Sequence, residues 1–272
     1  MTFNIQQEFS EIKKRYEEDT RNKSFNALIC GESGSGKTHL LRTARRPVLV
    51  DSFDPGGTRT LRDLLEGPNH VYADTRWEAE DPQKPTAYSS WVSEHNRRMK
   101  DGVYDHLGTY CLDSLTMFQE AVMNFILARA GIAGDTPRFT KDYSPQKTRV
   151  KNAIKQLLSL PCDVIITGHL APKEDEVTGA TTYRLETTGN NVTYIPLLFD
   201  EVYVMDTKET SKGVKYRLLT QSTGRYVASS RLAQGGKLDP VEEPDLKNLL
   251  RKAGLDPSDK EVTEVFTNQT ER

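Results

Sequence analysis

No stretch of this 272-residue chain approaches the ~18 consecutive apolar residues that span a bilayer. The opening segment, MTFNIQQEFSEIKKRYEED, is charged and lacks the apolar stretch of a secretory signal. Together these absences predict a soluble cytoplasmic protein with no membrane partner. Cysteine is scarce as well: Cys30, Cys111 and Cys162 are too few and too scattered for a disulfide framework. Each sits beside an apolar run (ALIC, TYCL, CDVII) and reads as a small buried filler. Charge of one sign is also missing. With 37 basic and 39 acidic residues the net charge is −2, so no overall positive field attracts nucleic acid, and only a local basic loop could hold it. Of the five histidines, the four other than His169 have no clustered acid or cysteine partner, so no structural metal site is expected.

What is present alternates. Ile5, Phe9, Ile12 and Tyr16 recur at helical spacing, so residues 1–24 read as an N-terminal amphipathic helix and its polar exit. FNALIC (25–30), RPVLVDS (46–52), GTYCLDSL (108–115) and CDVIITGHL (162–170) are short apolar strands, with helices predicted at HLLRTA, TLRDLLE, 89–100, 115–130 and 146–160. Residues 67–87, rich in proline and acid, read as a surface excursion, and 131–145 and 171–193 as polar connections. FDEVYVMD and GVKYRLLT, parted by a charged turn, predict an antiparallel hairpin. The domain reading is a core over 25–232, followed by a polar C-terminal tail, 233–272, with one helix at PDLKNLLRKAG. Strands alternating with helices and then running together predict an α/β fold: a mostly parallel sheet flanked by helices and extended by antiparallel edge strands.

One segment carries chemistry outright. Gly31-Glu32-Ser33-Gly34-Ser35-Gly36-Lys37-Thr38 matches the phosphate-loop pattern G-x-x-x-x-G-K-[ST], with a strand before it and a helix-forming run after it. Small residues let the backbone curl so that its N–H groups face an anion, and the following helix adds its positive end. Lys37 supplies a point charge for the β- and γ-phosphates, and the Thr38 hydroxyl is a magnesium ligand. Asp113, closing the strand Tyr110-Cys111-Leu112-Asp113, is the matching magnesium carboxylate. The cofactors expected are therefore ATP and Mg²⁺.

Hydrolysis further needs a group to orient or deprotonate water. The second strand ends in Asp51-Ser52-Phe53-Asp54-Pro55-Gly56-Gly57, where Asp54 is the catalytic choice and Asp51 or a purely turn-forming Asp54 the alternatives. The fourth strand ends in Thr167-Gly168-His169, placing His169 where a polar side chain could sense the γ-phosphate.

In that order and spacing, GESGSGKT, VLVDSFDPGG, YCLDSLT and VIITGHL resemble a RecA-like P-loop NTPase core. They are most similar to phage nucleotide-binding proteins of single-strand annealing and recombination. The resemblance covers about 25–232. It implies ATP hydrolysis, ring or filament assembly, loops that contact single-stranded DNA, and a basic finger completing a site between subunits. Arg225, in Ser222-Thr223-Gly224-Arg225-Tyr226, occupies the finger's place. Arg138, Lys141 and Tyr143 in one connection, and Lys173 and Arg184 in the other, mix charge with rings as single strands require. The family's catalytic glutamate is Asp54 here, and its amide sensor is His169. That departure keeps a second reading open: a nucleotide-switched scaffold with little hydrolysis and no DNA role.

Overall fold

The structure, a computed structural model, describes residues 5–19, 24–174 and 179–262. Its centre is β1 (Asn26–Gly31), whose residues after the first are all buried. Successive side chains on a strand point to opposite faces. Accordingly, Leu28 and Cys30 join one apolar cluster while Ala27 and Ile29 join another on the opposite face. A strand covered on both sides must be apolar throughout, which is why ALIC carries no alternation.

The remaining strands are β2 (Val48–Ser52), β3 (Val71–Asp74), β4 (Thr109–Asp113), β5 (Asp163–Glu174), β6 (Thr181–Leu185), β7 (Glu201–Thr210), β8 (Gly213–Leu219), β9 (Ser229–Ser230) and β10 (Val241–Glu242). The main sheet runs β3-β2-β4-β5-β1-β7-β8-β10, parallel from β3 to β7 and antiparallel at β8 and β10. The helices are α1 (Ile5–Glu18), α2 (Lys37–Leu40), α3 (Arg62–Leu65), α4 (Ala87–Lys100), α5 (Leu115–Arg129), α6 (Tyr143–Leu157), α7 (Asn191–Tyr194) and α8 (Leu246–Ala253). Trp91 of α4, Phe118 of α5 and Ile154 of α6 fill one face of the sheet; Leu40 of α2 and Leu249 of α8 fill the other. The expected α/β architecture is present, with the three cysteines buried and free. Among the described residues no helix is long and apolar enough to cross a membrane.

Three features depart from the sequence reading, and a fourth goes beyond it. Residues 67–87 are not merely a surface excursion, because β3 pairs parallel with β2 inside them. This is a four-residue edge strand in which only Val71 is buried, too short to show a pattern. The stretch 171–193 is not simply a polar connection, since β5 continues to Glu174 and pairs antiparallel with β6; residues 175–178 lie outside the described residues. The helix after the phosphate loop is a single turn that tightens into a 3₁₀ turn at Leu41–Thr43. Finally, the C-terminal helix docks on its own core. Leu246, Leu249, Leu250 and Ala253 are buried, Asp245 caps the start of α8 and Gly254 ends it in a left-handed conformation. In contrast, α1 buries no residue, and its stripe of Ile5, Phe9, Ile12 and Tyr16 is exposed.

Candidate nucleotide site

The phosphate loop leaves β1 at Gly31, where a Cβ atom would lie 2.4 Å from Ser35 Oγ and 2.8 Å from the Met205 carbonyl oxygen. Gly34 and Gly36 take φ values of +76° and +93°, a region that side chains rarely tolerate. Lys37 is buried, and its Nζ donates to the carbonyls of Gly31 (2.9 Å) and Glu32 (3.0 Å), across the loop's concave side. Burial lowers the Lys37 pKa, a shift that Asp113 and Asp54 partly oppose. Ser35 Oγ is buried with no hydrogen-bond partner, an orphan donor that a phosphate oxygen would satisfy.

Asp113 closes β4 and is fully buried. Thr38 Oγ1 donates to its Oδ2 at 2.7 Å, and the Thr167 hydroxyl donates to its Oδ1. Burial pushes the Asp113 carboxyl above the ordinary carboxylate range, more than these donors and Lys37 pull it down. Thr38 Oγ1 and Asp113 Oδ2 form a pair of hard oxygens suited to Mg²⁺. The residues present therefore fit the expected metal.

The loop after β2 is pinned to β4, with the N–H groups of Phe53 and Asp54 donating to the Asp113 carbonyl at 2.5 and 3.2 Å. Asp54 Oδ1 accepts from Ser114 Oγ at 2.6 Å, and Oδ2 lies 2.9 Å from His169 Nε2. Burial acts to raise the Asp54 pKa, but hydrogen bonds from His169 and Ser114, with the charges of His169 and Lys37, outweigh it and hold the carboxyl below its ordinary value. The Asp51 alternative is corrected by the fold. Asp51 is sealed in the core, where Trp91 Nε1 (2.9 Å), the Tyr110 hydroxyl (2.8 Å) and Arg98 Nη1 (2.7 Å) satisfy it.

A cavity of about 560 Å³ is lined by Lys37, Thr38, Asp54, His169, Tyr216 and Pro244 among others. Tyr216, Pro244 and Thr167 belong to no motif and join the site only when distant segments meet. Thr167 alone carried a signal, as a hydroxyl at the end of an apolar strand. Arg225 sits beside the phosphate loop of its own chain: its guanidinium lies 4.5 Å over the Tyr183 ring and 3.9 Å from Glu32 Oε1. Of the five residues expected at DNA, Arg138 is ion-paired to Asp142 at 2.8 Å, Lys141 is exposed and Tyr143 opens α6 half-buried. Lys173 and Arg184 are exposed on β5 and β6.

Residues 23–232 match the family described as an AAA domain, and the chain belongs to that family. No curated protein sequence matches it. Among solved structures the chain is similar to a KaiC-like protein from the hyperthermophilic archaeon Pyrococcus horikoshii, with 12% identity and a TM-score of 0.41 over 74% of this chain and 80% of that one. The family, the sheet order and the phosphate loop define a P-loop ATPase fold with a RecA-like core.

Proposed function

We propose that the protein is a Mg-ATP-dependent ATPase that acts on single-stranded DNA as an assembled ring or filament. The observation that carries the hydrolytic part is the meeting of Lys37, the Thr38–Asp113 pair and the Asp54–His169 pair along one cavity. Bound Mg²⁺, held by Thr38 and Asp113, would neutralise charge on the phosphate oxygens. Lys37 holds the β- and γ-phosphates, and the loop N–H groups orient them. Asp54, kept ionised by its neighbours, accepts hydrogen bonds from the attacking water, while His169 fixes the direction of that carboxylate. The Tyr216 ring and Pro244, which also line the cavity, take the flat base. Arg225 is proposed to serve the phosphate loop of its own chain, given its approach to Glu32.

The DNA part is supported by exposed Phe139, Lys141, Lys173 and Arg184. Assembly is supported by the uncovered apolar stripe of α1. ATP turnover, sedimentation and anisotropy of a labelled single strand test the three parts, with Lys37→Ala as the control. Turnover no faster than Lys37→Ala removes the hydrolytic reading. No strand binding at low salt, with or without ATP, removes the DNA reading.

One observation favours a second reading, a nucleotide-switched scaffold with little hydrolysis: both oxygens of Asp54 already have protein partners. Turnover orders of magnitude above Lys37→Ala excludes it.

A further inference from the structure

We propose that Glu78 is a positioning residue that holds the Asp54 loop in register for attack on the terminal phosphate. This rests on the hydrolytic reading, which gives Asp54 its role.

Glu78 follows β3, in the segment where the sequence shows no motif, and stands outside the lining of the nucleotide cavity. Its carboxylate spans the turn that carries Asp54. Oε1 accepts from Ser52 Oγ at 2.6 Å, and Oε2 accepts from the Gly56 N–H at 2.9 Å. Ser52 lies two residues before Asp54 and is fully buried. Gly56 lies two residues after it, at φ +71°. The neighbouring residue anchors the arrangement, because Trp77 is buried and stacks on Phe53 with ring centroids 6.3 Å apart.

The turn is thus held from two sides: from β4, through the N–H groups of Phe53 and Asp54, and from the end of β3, through Glu78. Charge-assisted hydrogen bonds are stronger and shorter than neutral ones, so a bidentate carboxylate fixes such a turn more firmly than either contact alone. Firmness matters here because aspartate is one methylene shorter than glutamate and has less reach to correct a displaced backbone. A misplacement of about 1 Å at a reacting group can cost on the order of 10²-fold in rate. Removal of a glutamate that merely kept the turn folded would instead lower stability and nucleotide affinity together.

The test uses the full chain and measures ATP turnover, the KM for Mg-ATP, binding of a fluorescent ADP and thermal unfolding. The variants are Glu78→Ala, Glu78→Gln, Ser52→Ala and the Ser52→Ala/Glu78→Ala double variant. Glu78→Ala is expected to lower kcat by about 10–100-fold while KM and ADP affinity stay within about threefold. Glu78→Gln keeps one acceptor and recovers part of the rate. Ser52→Ala lowers kcat in the same direction, and the double variant is no worse than Glu78→Ala, since both remove the same bridge.

Unchanged kcat in Glu78→Ala overturns the proposal, as does a parallel loss of kcat and affinity in Glu78→Ala and Ser52→Ala. Should Glu78→Ala fail to fold, Glu78→Gln and Ser52→Ala decide, and unchanged kcat in both is fatal. Wild-type protein no faster than Lys37→Ala removes the hydrolytic reading and this one with it. An active wild type matched by its Glu78 variants removes only this one.

Discussion

His169 Nε2 lies 2.9 Å from Asp54 Oδ2, connecting the interior of β5 to the loop after β2 across 115 residues of chain. Neither residue type is the one that the resembled family places there. The shorter acid is met by an imidazole, and the two side chains still reach hydrogen-bond distance.

That pair sets a pH expectation. Asp54 is held below its ordinary value, so it stays ionised until the pH falls through that depressed value. The stability it contributes is complete above the unfolded carboxylate range, near pH ~3.9, and is lost below it. Turnover should therefore show no acid limb from Asp54 between about pH 5 and pH 8. Asp54→Asn should lower kcat by about 10²–10⁴-fold with KM little changed. An equal loss in His169→Ala with a shifted pH profile would assign the proton to His169 instead.

Asp113 carries the opposite sign. Burial raises its pKa, so the ionised carboxylate subtracts from folding stability as pH rises through the unfolded value and on through the folded one. Asparagine can accept from one threonine hydroxyl and donate to the other. Asp113→Asn should unfold at the same or a higher denaturant concentration, yet lose at least about tenfold of the Mg²⁺-dependent gain in ATP affinity. Equilibrium unfolding and nucleotide titration with and without Mg²⁺ check both halves.

Tyr216 is 45% exposed and packs near Gly36, against whose Cβ position its ring edge would lie 3.3 Å away. Ring stacking on a base is worth about 1–3 kcal/mol. Tyr216→Ala should therefore weaken Mg-ATP binding by about 5–150-fold while leaving tripolyphosphate binding unchanged. Equal weakening of both ligands would place the ring's effect on the loop rather than the base.

Leu249 is fully buried on α8 in the cluster that contains Ile29 of β1. Leu249→Ala should cost about 2–5 kcal/mol in chemical denaturation, within one cooperative transition. A loss under about 0.5 kcal/mol would mean that α8 is not part of the cooperative unit.

The phosphate loop was legible because its chemistry is contiguous: eight neighbouring residues specify both the backbone curl and the charge. Asp113 was legible because a strand-end acid has meaning once such a loop precedes it. The hairpin of β7 and β8 was legible from two apolar runs around a charged turn, both of which form strands. β3 was not, since a four-residue edge strand buries too little to leave a pattern. Glu78, Thr167, Tyr216 and Pro244 were hidden for a different reason. Each acquires its partner only through the fold, as Glu78 does from Ser52 across 26 residues. The α1 stripe repeats at helical spacing, yet among the described residues its apolar side chains are exposed.

Pro244 belongs to the stretch joining β10 to α8, beyond the part of the chain that matches the family. The wall it forms is tied down by Lys215 to Glu243 at 2.6 Å and by Lys252 to Glu242 at 2.7 Å. Anything gripped by that wall must in return tighten the grip of α8 on the sheet, because coupling between two equilibria is reciprocal. Saturating Mg-ATP should then slow amide exchange in α8, and clipping the chain ahead of β10 should loosen the base while sparing the phosphates.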